Sequence, residues 1–203
     1  MPSDAFSRFV QSLELDYDRW HDGDGYDLDA LAGIEKSERG DVVHLLAGRE
    51  ATWREIEALE TIDIPPAYMA IKRAFRDSDS IDTRLAAAEA LDSLGKLEEP
   101  LDSVLAREIR NLDDEGTTRA LLMAESRGSD EVKWALLDAS HKRTAAAMHC
   151  AALLCYLAGV AKEPFDWDFR PLFLRLGVEE TDADREVAFR ELCALVAMEP
   201  ETR

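Results

Sequence analysis

Hydrophobic residues recur along most of this chain at the three- and four-residue spacing of an amphipathic α-helix. The stretch PSDAFSRFVQSLEL shows this spacing in a first, capped helix at Phe6, Phe9, Val10 and Leu13. The stretch SERGDVVHLLAGR carries a second apolar group at Val42, Val43, Leu45 and Leu46. TWREIEALETI then places Glu55 three residues after Thr52, the capping-box pattern of a helix start. The pattern predicts an all-α protein.

From residue 63 onward the helices recur in pairs. The second helices of three successive pairs, DTRLAAAEALDSLG, EGTTRALLMAESRG and AAAMHCAALLCYLAG, end at Gly95, Gly128 and Gly159, which lie 33 and 31 residues apart. Glycine is the preferred left-handed residue at a helix C-terminus, and a period near 30 residues is typical of stacked helix pairs. We therefore predict an α-solenoid of HEAT-like helix pairs.

The second helix of each pair is rich in alanine, which allows close packing against neighbouring helices. We expect leucines to fill the seam between layers: Leu91, Leu94, Leu121, Leu122, Leu153 and Leu154. Residues 144–161 approach the length of a membrane span, but His149 lies in the middle and aromatic belts are missing. This segment is better explained as a central helix packed on all sides.

The stretch EPFDWDFRPLFLRLG, residues 163–177, breaks the repeat. Pro164 and Pro171 each restrict the preceding residue and remove a backbone donor, so one continuous helix is excluded. We favour a terminal cap, in which the aromatic side chains cover the last layer and Arg170 pairs with an aspartate. The alternative is a partner-binding surface, because exposed aromatics form interface anchors. Its candidate residues are Asp166, Trp167 and Asp168.

A second candidate surface is the acidic loop that follows the first helix, DYDRWHDGDGYD. It does not match a calcium-binding EF-hand loop: counting from Asp22, the fifth position is a tyrosine and Asp27 stands where glycine is required. A glycine turn with Asp27 capping the next helix is the simpler interpretation. The candidate partner-binding residues in this loop are Trp20, Asp22, Asp24 and Tyr26.

Charge and cysteine content limit the kinds of partner and the cellular compartment that we expect for this protein. The 203-residue chain has 24 basic and 43 acidic residues, a formal charge of -19, which repels nucleic acid and favours a partner with a basic surface. The N-terminus has no basic region followed by an apolar one, so we expect a cytoplasmic protein without a secretory signal. The three cysteines, an odd number, are expected to be buried thiols rather than disulfides.

Motifs for catalysis are missing from the sequence. It contains no nucleophile elbow, phosphate-binding loop or dinucleotide fingerprint, and its four histidines and three cysteines lack the close spacing of a zinc site. We therefore predict a binding protein without enzymatic activity, cofactor or metal. We also expect one helical domain over residues 1–203, with N-terminal helices and the acidic loop in 1–62, helix-pair repeats in 63–160 and a C-terminal cap in 161–203.

Two end motifs add a resemblance to these inferences. DTRLAAAEALDSLG is similar to the second helix of a HEAT-like repeat. WHDGDGYDLDAL near the start, and EPFDWDFRPLFLRLG followed by REVAFRELCAL near the end, resemble a bacterial HEAT-like family of immunity proteins from polymorphic toxin systems. The resemblance implies an inhibitor that occludes a cognate toxin. The alternatives are a HEAT-like scaffold for an endogenous complex and, disfavoured by the missing basic groove, a DNA-repair or nucleotide-base enzyme.

Overall fold

A computed structural model describes residues 2–14, 25–113, 117–177 and 180–199. Within these residues the protein is all-α, as predicted, with twelve α-helices, one 3₁₀-helix and no β-strand. The first six helices are α1 (Asp4–Ser12), α2 (Leu28–Ala32), α3 (Arg39–Ala47), α4 (Trp53–Glu60), α5 (Pro65–Asp77) and α6 (Ile81–Ser93). The others are α7 (Leu101–Arg110), α8 (Thr117–Arg127), α9 (Asp130–Ser140), α10 (Ala146–Leu157), the 3₁₀-helix (Trp167–Phe169), α11 (Arg170–Leu174) and α12 (Asp182–Val196).

The chain divides into two compact units. The first consists of Met1–Asp79 and Ala86–Leu97, and the second of Ser80–Leu85 and Glu98–Arg203. Helix α6 therefore begins in the second unit and continues in the first. The sequence-based expectation of one domain over residues 1–203 stays a prediction.

Side chains cap three helices of the first unit, α1, α2 and α4, as the sequence predicts. Ser3 caps α1, and Asp27 Oδ1 accepts a hydrogen bond from Ala30 N at 2.8 Å at the start of α2. Thr52 and Glu55 form the capping box of α4, in which Thr52 N donates to Glu55 Oε2 at 3.0 Å. Because each cap satisfies backbone N–H groups that have no partner within the helix, these residues specify where the helices begin.

The core of the first unit is built from α1–α5 and the later part of α6. Helix α1 contacts α2, while α3, α4 and α5 contact one another. The largest fully buried side chains there are Phe9, Leu46, Ile56, Ile71 and Leu91. Burying a side chain of this kind stabilises the fold by about 1.5–3 kcal/mol relative to leaving it in water, so this core is a main source of the unit's stability.

The three repeat glycines end their helices in the left-handed conformation, with φ of 64° at Gly95, 52° at Gly128 and 74° at Gly159. After α6, Lys96 N donates to Leu91 O at 2.7 Å and Gly95 N donates to Asp92 O at 2.9 Å, the two bonds of a Schellman motif. The corresponding two bonds follow α10, from Val160 N to Cys155 O and from Gly159 N to Tyr156 O. A side chain at these three positions would be strained, because the left-handed region is unfavourable for residues with a Cβ. The prediction of helix ends at these glycines is confirmed.

Four helices of the second unit, α7 to α10, contact one another. Helix α7 contacts α8 within one pair, and α9 contacts α10 within the next. Between the pairs, α7 contacts α9 and α8 contacts α10, so each helix meets its counterpart. Helices α11 and α12 both contact α10 and each other.

The predicted leucine seam is partly wrong. Leu91, Leu153 and Leu154 are buried, but Leu94 is exposed and Leu122 is 63% exposed. Adjacent residues point about 100° apart around a helix, so two neighbouring leucines are both buried only where the helix is covered on several sides. Helix α10 is covered by α8, α9, α11 and α12, whereas Leu122 lies on an open side of α8.

Helix α10 is the most enclosed helix that the sequence singled out. Eight of its twelve residues are buried. His149 is exposed, however, so the prediction that this helix is packed on all sides is wrong. Cys150, Cys155 and Cys193 are free and buried, which confirms the thiol prediction. Burial raises the pKa of Cys150 and Cys155 to about 12. No helix in the described part of the chain is long and apolar enough to cross a membrane.

Candidate functional site

The aromatic stretch at residues 163–177 is a connector whose backbone is held by Asp166. This buried carboxylate accepts hydrogen bonds from Lys162 N through Oδ2 and from Asp168 N through Oδ1, both at 3.0 Å. These two backbone donors lower the pKa of Asp166. The second bond caps the 3₁₀-helix. Asp166 therefore positions the connector, and its side chain does not face solvent.

Phenylalanine side chains of the connector pack inward. Phe173 is completely buried, and its ring centroid lies 5.4 Å from that of Phe165 and 6.4 Å from that of Phe169. The Phe165 ring also lies 5.8 Å from the ring of His149 on α10. These separations are typical of packed aromatic pairs. Three of the four large aromatics of the connector thus pack against one another or against α10, and the cap interpretation stays a prediction.

Trp167 is the exception, because it points outward and is 66% exposed. The guanidinium carbon of Arg170 lies 4.7 Å from the centroid of the indole ring, a cation–π arrangement. Arg170 therefore lies over Trp167, where the sequence suggested a pairing with an aspartate. The stacking orients the ring but leaves most of its surface open.

Asp168 is exposed beside Trp167. Its Oδ2 lies 4.0 Å from Nζ of Lys162, at the limit of an ion pair, and both side chains are largely in solvent. An exposed pair of this kind contributes at most about 1 kcal/mol to stability. Of the three residues predicted in this stretch, Trp167 and Asp168 face outward together and Asp166 supports them from below.

The acidic loop is only partly described. Trp20, Asp22 and Asp24 lie outside the described residues, so their predicted roles stay predictions. Tyr26 is described and is buried in the core of the first unit, with its ring centroid 6.2 Å from that of Phe9 in an edge-on contact. In this conformation its ring faces the core and not a partner.

Tyr26 instead belongs to a buried polar network. Its hydroxyl donates to Glu55, which also accepts from Thr52 Oγ1 at 2.6 Å and from Arg49 Nε at 3.3 Å. Burial, and then the hydrogen bond to Glu55, raise the pKa of Tyr26 to about 12. Arg49 reaches further and donates to Leu13 O at 3.2 Å. The network joins the end of α1, the start of α2 and the start of α4.

Sequence reasoning missed two exposed apolar residues near the connector. Leu174 at the end of α11 is 45% exposed, and Val187 on α12 is 53% exposed. Val187 had a sequence signal, because Ala188, Leu192 and Val196 form the buried i, i+4, i+8 row of α12 and leave Val187 off that row. The connector is too short for its periodicity to show which side of α11 would be covered.

Sequence reasoning also missed Arg185. It is buried, and its guanidinium donates to four backbone carbonyls, those of His141, Lys142, Leu176 and Gly177. Burial, followed by the nearby charge of Arg143, lowers the pKa of Arg185. The guanidinium thereby joins α12 to the chain after α9 and after α11, and so supports the surface that carries Leu174 and Val187.

The described residues form no metal-binding cluster. No group of three or more His, Cys, Asp or Glu side chains within residues 2–14, 25–113, 117–177 and 180–199 is arranged to hold a metal ion. The acidic loop, where calcium was considered from the sequence, lies mostly outside these ranges. The described candidate site is therefore the outward surface around Trp167.

Comparison with models of protein families, with characterised proteins and with solved structures found no match to this chain.

Proposed function

We propose that this protein is an immunity-type binding protein, which neutralises a cognate bacterial toxin domain with a basic surface by direct occlusion. The observation that carries the proposal is the presentation of Trp167. A tryptophan that is 66% exposed on a backbone held by Asp166 has the residue type and the rigidity of an interface anchor. A fixed anchor loses little conformational entropy when it binds.

Charge supports a basic partner. The chain carries a formal charge of -19, and acidic side chains outnumber basic ones in the described part of residues 162–199. A strongly negative protein attracts a basic surface over distances up to about the Debye length, close to 10 Å at moderate salt, and this attraction speeds association. An acidic protein that covers a basic active-site cleft also repels the anionic substrate of that cleft.

The proposed fold behind this function is an α-solenoid of HEAT-like pairs. The pairs α7–α8 and α9–α10 support it, since each helix contacts its counterpart in the neighbouring pair. The near-equal spacing of Gly95, Gly128 and Gly159 supports the same repeat. On this proposal α11 and α12 close the end of the array, with Phe165, Phe169 and Phe173 as the cap.

A scaffold for an endogenous complex is the second candidate. It is favoured by exposed apolar side chains on helices distant from the connector in sequence, notably Met69 on α5 and Leu122 on α8. Exposed apolar side chains that are spread over several helices are suited to a protein that binds several partners at once. An inhibitor of one toxin needs a single continuous interface of about 800 Å² on each partner.

The test is a pull-down from native cells with the wild-type protein, Trp167→Ala and the control Leu122→Ala, followed by mass spectrometry. We expect one dominant basic partner that kills cells when produced alone and is harmless when co-produced with the wild-type protein. Trp167→Ala should weaken the purified complex by about 2 kcal/mol, while Leu122→Ala has little effect. Association should slow as salt rises. Several non-toxic partners would instead support the scaffold.

A further inference from the structure

Trp167 is one end of a continuous exposed face, and the first part of this face runs along α11. The Arg170 side chain lies on the indole ring, and Leu174 follows Arg170 by one helical turn on the same side of α11. Pro171, between them, is also exposed. The exposed surface that begins at the tryptophan therefore continues across the charged Arg170 and along α11 to Leu174.

An ion pair connects the end of α11 to α12. Arg175, directly after α11, donates through Nη1 to Oε2 of Glu191 at 2.7 Å. Val187 lies one turn before Glu191 on the same side of α12. Buried Arg185 holds α12 in this position through the carbonyls described above. Trp167, Leu174 and Val187 thus belong to one supported surface, which we call the end face.

The end face has the size of an interface core. The exposed parts of Trp167, Leu174 and Val187 sum to an apolar area on the order of 300 Å², comparable to the largest patch on a typical monomer, which is often functional. A stable interface covers about 800 Å² on each partner, with an apolar centre and a polar rim. The end face is therefore large enough to form the apolar centre of such an interface. The rest of the interface area must come from the charged residues around it.

The net charge of the chain distinguishes between the two simplest candidates for the protein that covers this face. A second copy of the chain would bring together two proteins of formal charge -19, and their mutual repulsion opposes association. A partner with a basic surface would instead be attracted by the net charge of the chain, although the face itself carries Arg170 and Arg175 beside its carboxylates Asp168 and Glu191. The charge of the chain thus favours a basic partner over self-association.

We infer that the end face is the apolar core of the interface with the basic partner, with Leu174 and Val187 contacting that partner together with Trp167. This inference rests on the proposed function, and it extends the binding site from the connector to α12. It also assigns the partner's chemistry: an apolar pocket, wide enough for an indole ring and two aliphatic side chains, with a cationic rim.

The experiment places the photo-reactive residue benzoylphenylalanine at three positions of the full-length protein in native cells: 174, 187 and 122. Leu122 is the matched control, because it is an exposed leucine of the same unit on α8. We expect positions 174 and 187 to cross-link to the same basic protein and position 122 to give no such product. With that partner purified, Leu174→Gln/Val187→Gln should raise the Kd about tenfold or more, and Leu122→Gln should leave it within about twofold.

The other outcomes overturn the inference and separate it from the proposed function. If the pull-down recovers a basic partner but the double variant binds it as tightly as wild type, the end face is wrong and the proposed function stands. Cross-links from 174 and 187 to a second copy would show self-association at this face, contrary to the inference. If no basic partner is recovered by either method, the inference and the proposed function both fail. Circular dichroism of each variant checks that it is folded.

Discussion

The hydroxyl of Tyr26 donates a hydrogen bond to the buried carboxylate of Glu55, whose other oxygen closes the capping box of α4. One carboxylate thus satisfies both a local helix cap and a contact 29 residues away in the chain. Because Tyr26 directly precedes Asp27, the N-cap of α2, the bond also fixes the start of α2 relative to α4. Tyr26 therefore contributes to the stability of the first unit.

Tyr26→Phe should lower the free energy of unfolding by about 1–2 kcal/mol, because the ring stays packed while a buried carboxylate loses one hydrogen bond. Urea unfolding followed by circular dichroism measures the change. Tyr68→Phe is the control, since Tyr68 is only partly buried at the edge of the same core and should lose less. Equal stability of Tyr26→Phe and wild type would show that the bond to Glu55 contributes nothing net.

The raised pKa of Tyr26 predicts a pH dependence. Burial and the bond to Glu55 raise this pKa from 10.0 to about 12, so ionisation is harder in the folded protein than in the unfolded chain. This contribution to stability is fully present below pH 10 and is lost as the pH rises towards 12. Near-ultraviolet titration should show a tyrosine that ionises near pH 12, and Tyr26→Phe should remove that step. Loss of this step in Tyr68→Phe instead would contradict the assignment.

Arg185→Met should destabilise the second unit by about 3 kcal/mol or more, because four backbone carbonyls lose a charged donor in a buried position. Hydrogen exchange should speed up most in α12 and in the chain just after α9. Arg190→Met, on the exposed side of the same helix, should change stability by only about 0.5 kcal/mol. Similar losses from the two variants would mean that the carbonyl contacts of Arg185 are not important.

Two leucines that the sequence treated alike should behave differently. Leu91→Ala removes a buried side chain of the first core and should cost about 3 kcal/mol, because it leaves a cavity. Leu122→Ala should change stability by about 0.5 kcal/mol or less, because Leu122 is exposed on α8. Thermal unfolding of both variants provides the comparison. A large loss from Leu122→Ala would place that side chain in a core.

Local chemistry explains why the helix boundaries could be predicted. The capping box of Thr52 and Glu55, the cap at Asp27 and the left-handed Gly95 each depend on groups within a few residues of one another. The energy of such an arrangement is decided before distant parts of the chain meet. The sequence pattern therefore predicted these features correctly from single short stretches.

The sequence alone determined that the described chain is helical, where several helices begin and end, and that the connector with Pro164 and Pro171 interrupts them. Only the tertiary structure decided which side chains of the connector are covered. Trp167 and Phe169 are two residues apart and both aromatic, yet Trp167 points outward while Phe169 packs against Phe173. The physical reason is that the burial of a side chain depends on residues from distant parts of the chain that pack against it, and the sequence of a short stretch does not show which residues these are.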